Sequence, residues 1–156
     1  MRGRSVEKRL NPDFRDMLSA CNDEAVEYLL VGAYALAVHG LPRATGDMDL
    51  WIRPTPANAQ RALAALRRFG APLADLSLED LTRPGTVFQI GVAPNRIDLL
   101  TSIDAVDFED AWRNRVASNV AGIAVPVLSR ADFVRNKRAV GRPKDLADVA
   151  WIEGED

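Results

Sequence analysis

Apolar residues recur along this chain at two spacings, and each spacing marks a different kind of element. Phe14, Met17, Leu18 and Cys21 fall at i, i+3, i+4 and i+7, one face of a helix, and Asn11-Pro12 before them supplies a cap and a first-turn proline. Tyr28 to Val31 is a short continuous apolar run that meets Gly32-Ala33, which reads as a strand, a tight turn and the start of a small-residue helix. That helix runs from about Ala33 to His39 and is ended by Gly40 and Pro42. After the loop from Leu41 to Gly46, Met48, Leu50 and Ile52 alternate with acids, the period of a strand. Thr55-Pro56 opens a further helix with Ala59, Leu63, Leu66 and Phe69 as its stripe and Gly70 as its left-handed stop. Residues 71 to 85 are irregular, with one turn capped by Ser77 and a bend at Pro84-Gly85, and read as a surface loop near the site.

The second half of the chain alternates in the same way. Thr86 to Val92 and Arg96 to Ser102 are β-rich runs joined by Ala93-Pro94-Asn95, which predicts a hairpin with a three-residue loop. Asp107 caps a short helix through about Asn114, and Val116 to Val120 and Ile123 to Leu128 predict a second hairpin around Ala121-Gly122. Ser129 caps a helix with Asp132 in its first turn. Two closing helices, broken by Gly141-Arg142-Pro143, are expected to pack through Phe133, Val134, Leu146, Val149 and Ala150. The alternation predicts an α/β (α+β) fold with a mixed β-sheet flanked by helices. One domain over residues 1–156 is expected, with a core at about 10–104 and a C-terminal hairpin and helices at about 105–156.

The candidate chemistry lies in the strand that carries acids. Asp47 and Asp49 emerge on one face of it while Met48, Leu50 and Ile52 pack on the other. Two anions side by side repel each other, and desolvating either is costly unless a cation neutralises it. Carboxylate oxygens suit Mg²⁺ or Mn²⁺, which fill their other positions with water and phosphate oxygens. Gly32-Ala33 and the helix behind them supply N–H groups that favour an anion such as phosphate. Asp98, between Ile97 and Leu99, repeats the apolar-acid-apolar arrangement around Asp49, and would complete a triad of carboxylates if the two strands are neighbours.

Composition narrows the class. The chain is 47% hydrophobic, carries a formal net charge of −2 and a single cysteine, and has no apolar stretch long enough to cross a bilayer. A cytoplasmic, disulfide-free protein without a membrane partner is expected. The net charge argues against generic polyanion binding, yet Arg130, Arg135, Lys137, Arg138, Arg142 and Lys144 gather near the C-terminus and leave room for a local anion site. Cys21, on an apolar face, reads as a buried small hydrophobe, and His39, the sole histidine, as a packing or hydrogen-bonding group.

With the residues V-G-A-Y-A, His39-Gly40, Arg43-Ala44-Thr45 and Asp47-Met48-Asp49, the sequence resembles the nucleotidyltransferase superfamily with a DNA polymerase β-like fold. It looks most like the AbiEii-like toxin branch. The C-terminal R-N-K-R-A-V-G-R-P-K-D-L-A-D, residues 135 to 148, is similar to a motif that follows the catalytic core in that branch. The resemblance implies that Asp47, Asp49 and Asp98 are catalytic and hold Mg²⁺, and that Gly32, Ala33, Lys137, Arg43, Arg142, Lys144 and Asp145 surround the nucleotide. It further implies transfer of a nucleoside monophosphate from a nucleoside triphosphate to a hydroxyl on tRNA, a protein or a small molecule, with an antitoxin protein as partner. Ala33 stands where the family has a second glycine or a serine, which favours the rival reading of a catalytically weak or inactive nucleotide-binding or partner-binding module.

Overall fold

The computed structural model describes residues 10–41, 46–92 and 95–154. In chain order the elements are α1 (Pro12–Asp23), β1 (Tyr28–Val31), α2 (Gly32–Val38), β2 (Met48–Ile52), α3 (Pro56–Phe69), a 3₁₀ turn (Asp80–Thr82), β3 (Val87–Ile90), β4 (Ile97–Leu100), α4 (Phe108–Arg113), β5 (Val116–Val120), β6 (Ile123–Val127), α5 (Arg130–Val140) and α6 (Pro143–Gly154). The six strands form one mixed sheet in the order β3-β4-β2-β1-β6-β5. The central pairs decide what the sheet presents. β1 lies antiparallel to β2 with Val31 opposite Asp49, while β2 runs parallel to β4 with Asp49 opposite Asp98. β6 joins β1 in parallel, so the C-terminal hairpin extends the same sheet.

Local chemistry explains most element ends. Asn11, Thr55, Asp107 and Ser129 each accept a backbone N–H in the first turn of α1, α3, α4 and α5, contacts that contribute about 1 kcal/mol each. Phe14, Met17, Leu18 and Cys21 are all buried on the face of α1 that packs the core, and burial pushes the Cys21 thiol up to about 12, which keeps it protonated. Ala121 and Gly122 both take positive φ, the pairing that a two-residue type I′ hairpin turn requires. No helix among the described residues is long and apolar enough to cross a membrane.

The structure departs from the sequence pattern in four places. The buried face of α3 is Ala59, Ala62, Ala65 and Leu66, with Leu63 and Phe69 only partly covered. Small residues hold that face because α1 packs closely along α3. Asn58 joins it as a wholly buried polar group: it accepts from Glu27 N (2.7 Å) and donates to the carbonyls of Glu27 and Arg53 (2.9 Å each). The β3–β4 register, with Ile90 opposite Ile97, leaves a connection of residues 91–96 in place of a three-residue loop, and its Ala93 and Pro94 lie outside the described residues. The 71–85 segment is fastened to Thr101 and Ser102, beyond the end of β4 opposite to Asp98. In α6, Leu146 is 48% exposed and Ala150 is exposed too, whereas Asp145, Asp148, Val149 and Ile152 are buried.

Candidate active site

The acid face of β2 is polar only at one end. Asp47 and Asp49 are partly open to solvent, but Trp51, two residues on, is buried with its ring edge-on to Phe108 at 4.9 Å. Arg53, two further, is held by ion pairs to Glu27 and Glu109 and lies over the Phe108 ring. The strand therefore offers its carboxylates where its N-terminus meets the C-terminus of β1. There Gly32, at φ +71°, turns the chain into α2. A Cβ on Gly32 would overlap Oδ2 of Asp49 and come within 3.2 Å of its Cγ. Only glycine satisfies both the left-handed backbone and the close approach.

Asp98 stands in register beside Asp49 on β4, close enough for its charge to act on the Asp49 carboxyl group. Burial, then the charges of Asp98 and Asp47, push Asp49 up to about 6, and Arg96 offsets only part of this. Arg96 is the residue that the sequence pattern did not single out. Its carbonyl accepts from Met48 N (2.9 Å), which continues the β2–β4 ladder, and its own N–H donates weakly to the side-chain Oδ1 of Asp47 (3.4 Å). Residue alternation then puts its side chain on the face of Asp98. The guanidinium donates from Nε to Asp98 Oδ1 (2.8 Å) and from one terminal nitrogen to Asp98 Oδ2 (3.1 Å), and that nitrogen lies 3.3 Å from Asp47 Oδ2. Arg-x-Asp on β4 thus faces Asp-x-Asp on β2, and the two-residue spacing back from Asp98 was the available signal.

The donor set suits a hard divalent cation, since it consists of carboxylate oxygens and one of them, on Asp49, is poorly neutralised. Both oxygens of Asp98 are already taken by Arg96, and no group of three His, Cys, Asp or Glu side chains among the described residues is gathered as a metal-holding cluster. Arg96 lies against Asp47 as well, so Asp47 and Asp98 would join Asp49 around a metal only once its side chain moves.

The basic C-terminal residues form a separate cluster. Lys137 Nζ on α5 donates to Asp145 Oδ1 (3.1 Å) and lies 3.7 Å from Asp148 Oδ2 on α6. Arg142 donates to both oxygens of Asp145 at 2.6 and 3.2 Å. Asp145 is wholly buried, so the carboxylate expected beside a nucleotide instead joins the two helices, and its two basic partners hold it well below the usual carboxylate range. Next to Lys137, Asn136 donates to the carbonyl of Asp104, beyond the C-terminal end of β4, whereas Asp98 is near that strand's N-terminal end. Lys144 is exposed on the first turn of α6. Arg43, read from the sequence as a phosphate contact, lies outside the described residues. His39 Nε2 sits 2.7 Å from the carbonyl of Leu128. A carbonyl only accepts, so this nitrogen carries the proton and the ring ties α2 to the strand end before α5.

A six-stranded mixed sheet flanked by helices, with a glycine turn after the first strand and acids on two parallel neighbours, is consistent with the fold of nucleotidyltransferases. Among solved structures the chain is similar to TM1012 of Thermotoga maritima, which carries a provisional nucleotidyltransferase assignment. The likeness has a TM-score of 0.55 over 92% of this chain and 91% of that one at 14% identity. An antigenic nucleotidyltransferase-like protein from Paracoccidioides brasiliensis aligns over 92% of this chain and 75% of its own, at 16% identity and a TM-score of 0.47. No protein-family model and no curated protein sequence matches the chain.

Proposed function

We propose that this protein is a metal-dependent nucleotidyltransferase that moves a nucleoside monophosphate from a nucleoside triphosphate to a hydroxyl. The observation that carries this reading is the meeting of Asp49 with Gly32 on one side and Asp98 on the other, where burial and the charges of Asp98 and Asp47 disfavour the Asp49 anion. Asp47 and Asp49 would hold Mg²⁺ or Mn²⁺, which when bound neutralises charge on the reacting phosphate. The N–H groups of Gly32 and Ala33, at the first turn of α2 and without a side-chain cap, face the triphosphate. Asp98 takes the proton of the acceptor hydroxyl. The new bond forms between that oxygen and the α-phosphorus, the bond to the bridging oxygen breaks, and pyrophosphate leaves. In this reading the acceptor is tRNA, a protein or a small molecule, and the likeness of V-G-A-Y-A and D-M-D to AbiEii-like toxins supports a toxin with a separate antitoxin.

The rival reading, a nucleotide-binding module without turnover, is favoured by one observation, the two-pronged hold of Arg96 on Asp98. The test is incubation with each α-labelled triphosphate and Mg²⁺. Pyrophosphate release with label on an acceptor is expected, and should disappear with EDTA. Nucleotide binding without pyrophosphate release would select the rival reading.

A further inference from the structure

We propose that Arg96 is a resident counter-cation of the site, which a divalent ion displaces from Asp98, and that the freed guanidinium then takes the outer phosphates of the triphosphate. The inference rests on the metal-dependent reading above and assigns a residue that neither the sequence motifs nor the comparisons single out.

The geometry carries it in three steps. First, the backbone of Arg96 is anchored. Its carbonyl accepts from the backbone N–H of Met48 at the start of β2, and β4 begins at the next residue, so the side chain is the part free to swing. Second, the side chain fills the place of a metal. It bridges Asp98 and Asp47, each of whose carboxylates it meets within 3.3 Å, and a divalent ion bound to the same oxygens would be a close like charge. The two cations exclude each other from Asp98. Third, the guanidinium has somewhere to go. Its side chain is 29% exposed, unlike that of Asp98 at 9%, so it is free to leave toward solvent. Its planar fork, now paired two-to-two with a carboxylate, matches phosphate oxygens equally well. The arrangement keeps Asp98 neutralised while the site is empty, and makes metal entry and phosphate recognition one coupled event.

The test compares the unaltered protein with Arg96→Met and Arg96→Lys, using Mn²⁺ alone as the first probe and Mn²⁺ with a non-hydrolysable triphosphate as the second. Because a competent state held as a minority weakens apparent affinity by its fraction, Arg96→Met should bind Mn²⁺ roughly tenfold more tightly than the unaltered protein. Its preference for triphosphate over monophosphate should fall, and Arg96→Lys should lie between. Mn²⁺ binding that is equal or weaker in Arg96→Met overturns the inference and leaves the metal-dependent reading standing. Absence of Mn²⁺ binding in the unaltered protein overturns both. A readout that needs no substitution is the Arg96 Nε–H resonance, which should move on saturation with Mg²⁺ as its bond to Asp98 opens. An unmoved resonance in Mg²⁺-saturated protein overturns the displacement.

Discussion

Two clusters in this molecule are made of the same residue types and end with opposite electrostatics. At the junction of α5 and α6, Asp145 and Asp148 meet Lys137, and Asp145 also meets Arg142. At the sheet end, Arg96 meets Asp98 and Asp47, and Asp49 lies beside both of these acids. The basic partners pull Asp145 well below the usual carboxylate range, whereas burial and its acidic neighbours push Asp49 up to about 6. At the sheet end, burial and the neighbouring acids disfavour the charge of Asp49, a condition that an arriving cation would relieve. Burial alone does not separate the clusters, since Asp145 is buried too. The neighbouring charges do, with Arg142 and Lys137 favouring the Asp145 anion and Asp98 and Asp47 opposing that of Asp49.

Breaking the helix-junction cluster should give the largest effect. Lys137 is only 14% exposed on its side chain and meets two buried acids, so Lys137→Ala removes a base from the interior while Arg142 still holds Asp145. A loss of about 1.5–3 kcal/mol is expected for charge-assisted hydrogen bonds, read as a lower urea midpoint. A midpoint within error of the unaltered protein would contradict the buried pairing of Lys137 with Asp145 and Asp148.

The same operation on the other cluster should have the opposite sign. Asp49→Asn removes a disfavoured charge, and should stabilise the protein at neutral pH by about 1–2 kcal/mol after allowance for solvent screening, while abolishing stabilisation by Mg²⁺ with triphosphate. The pH dependence follows from linkage. The folded-state pKa of Asp49 lies above its unfolded value of 3.8, so the native state binds the extra proton. That contribution is fully present below about 3.8 and is lost as pH rises through about 6. The decline in stability across that window should be smaller in Asp49→Asn, and an unchanged profile would remove Asp49 as its cause.

The difference between the clusters also shows what a sequence makes visible. Strand period two, read locally, was enough to place Asp49 and Asp98 on interior strands and to mark Gly32 as a turn. Caps at Asn11, Thr55, Asp107 and Ser129 were equally local. Arg96 was hidden because its importance depends on register. Until β4 is laid parallel to β2 with Asp98 at Asp49, an arginine before a strand looks like a loop residue. Asp145 was misplaced for a related reason. Its motif reads as basic and soluble, and only the packing of α6 on α5 shows that its acids point inward to meet the bases. The stripe on α3 was shifted because a helix that touches both a sheet and another helix uses small residues where they meet.

The carboxyl carbon of Asp49 reports most directly, by ¹³C resonance, whether burial and its acidic neighbours disfavour its charge and whether a divalent cation, as proposed, competes with the proton there. In the unliganded protein its titration midpoint should be near 6, and saturating Mg²⁺ should lower that midpoint as the cation competes with the proton. A midpoint in the ordinary aspartate range that Mg²⁺ leaves unmoved would contradict the account.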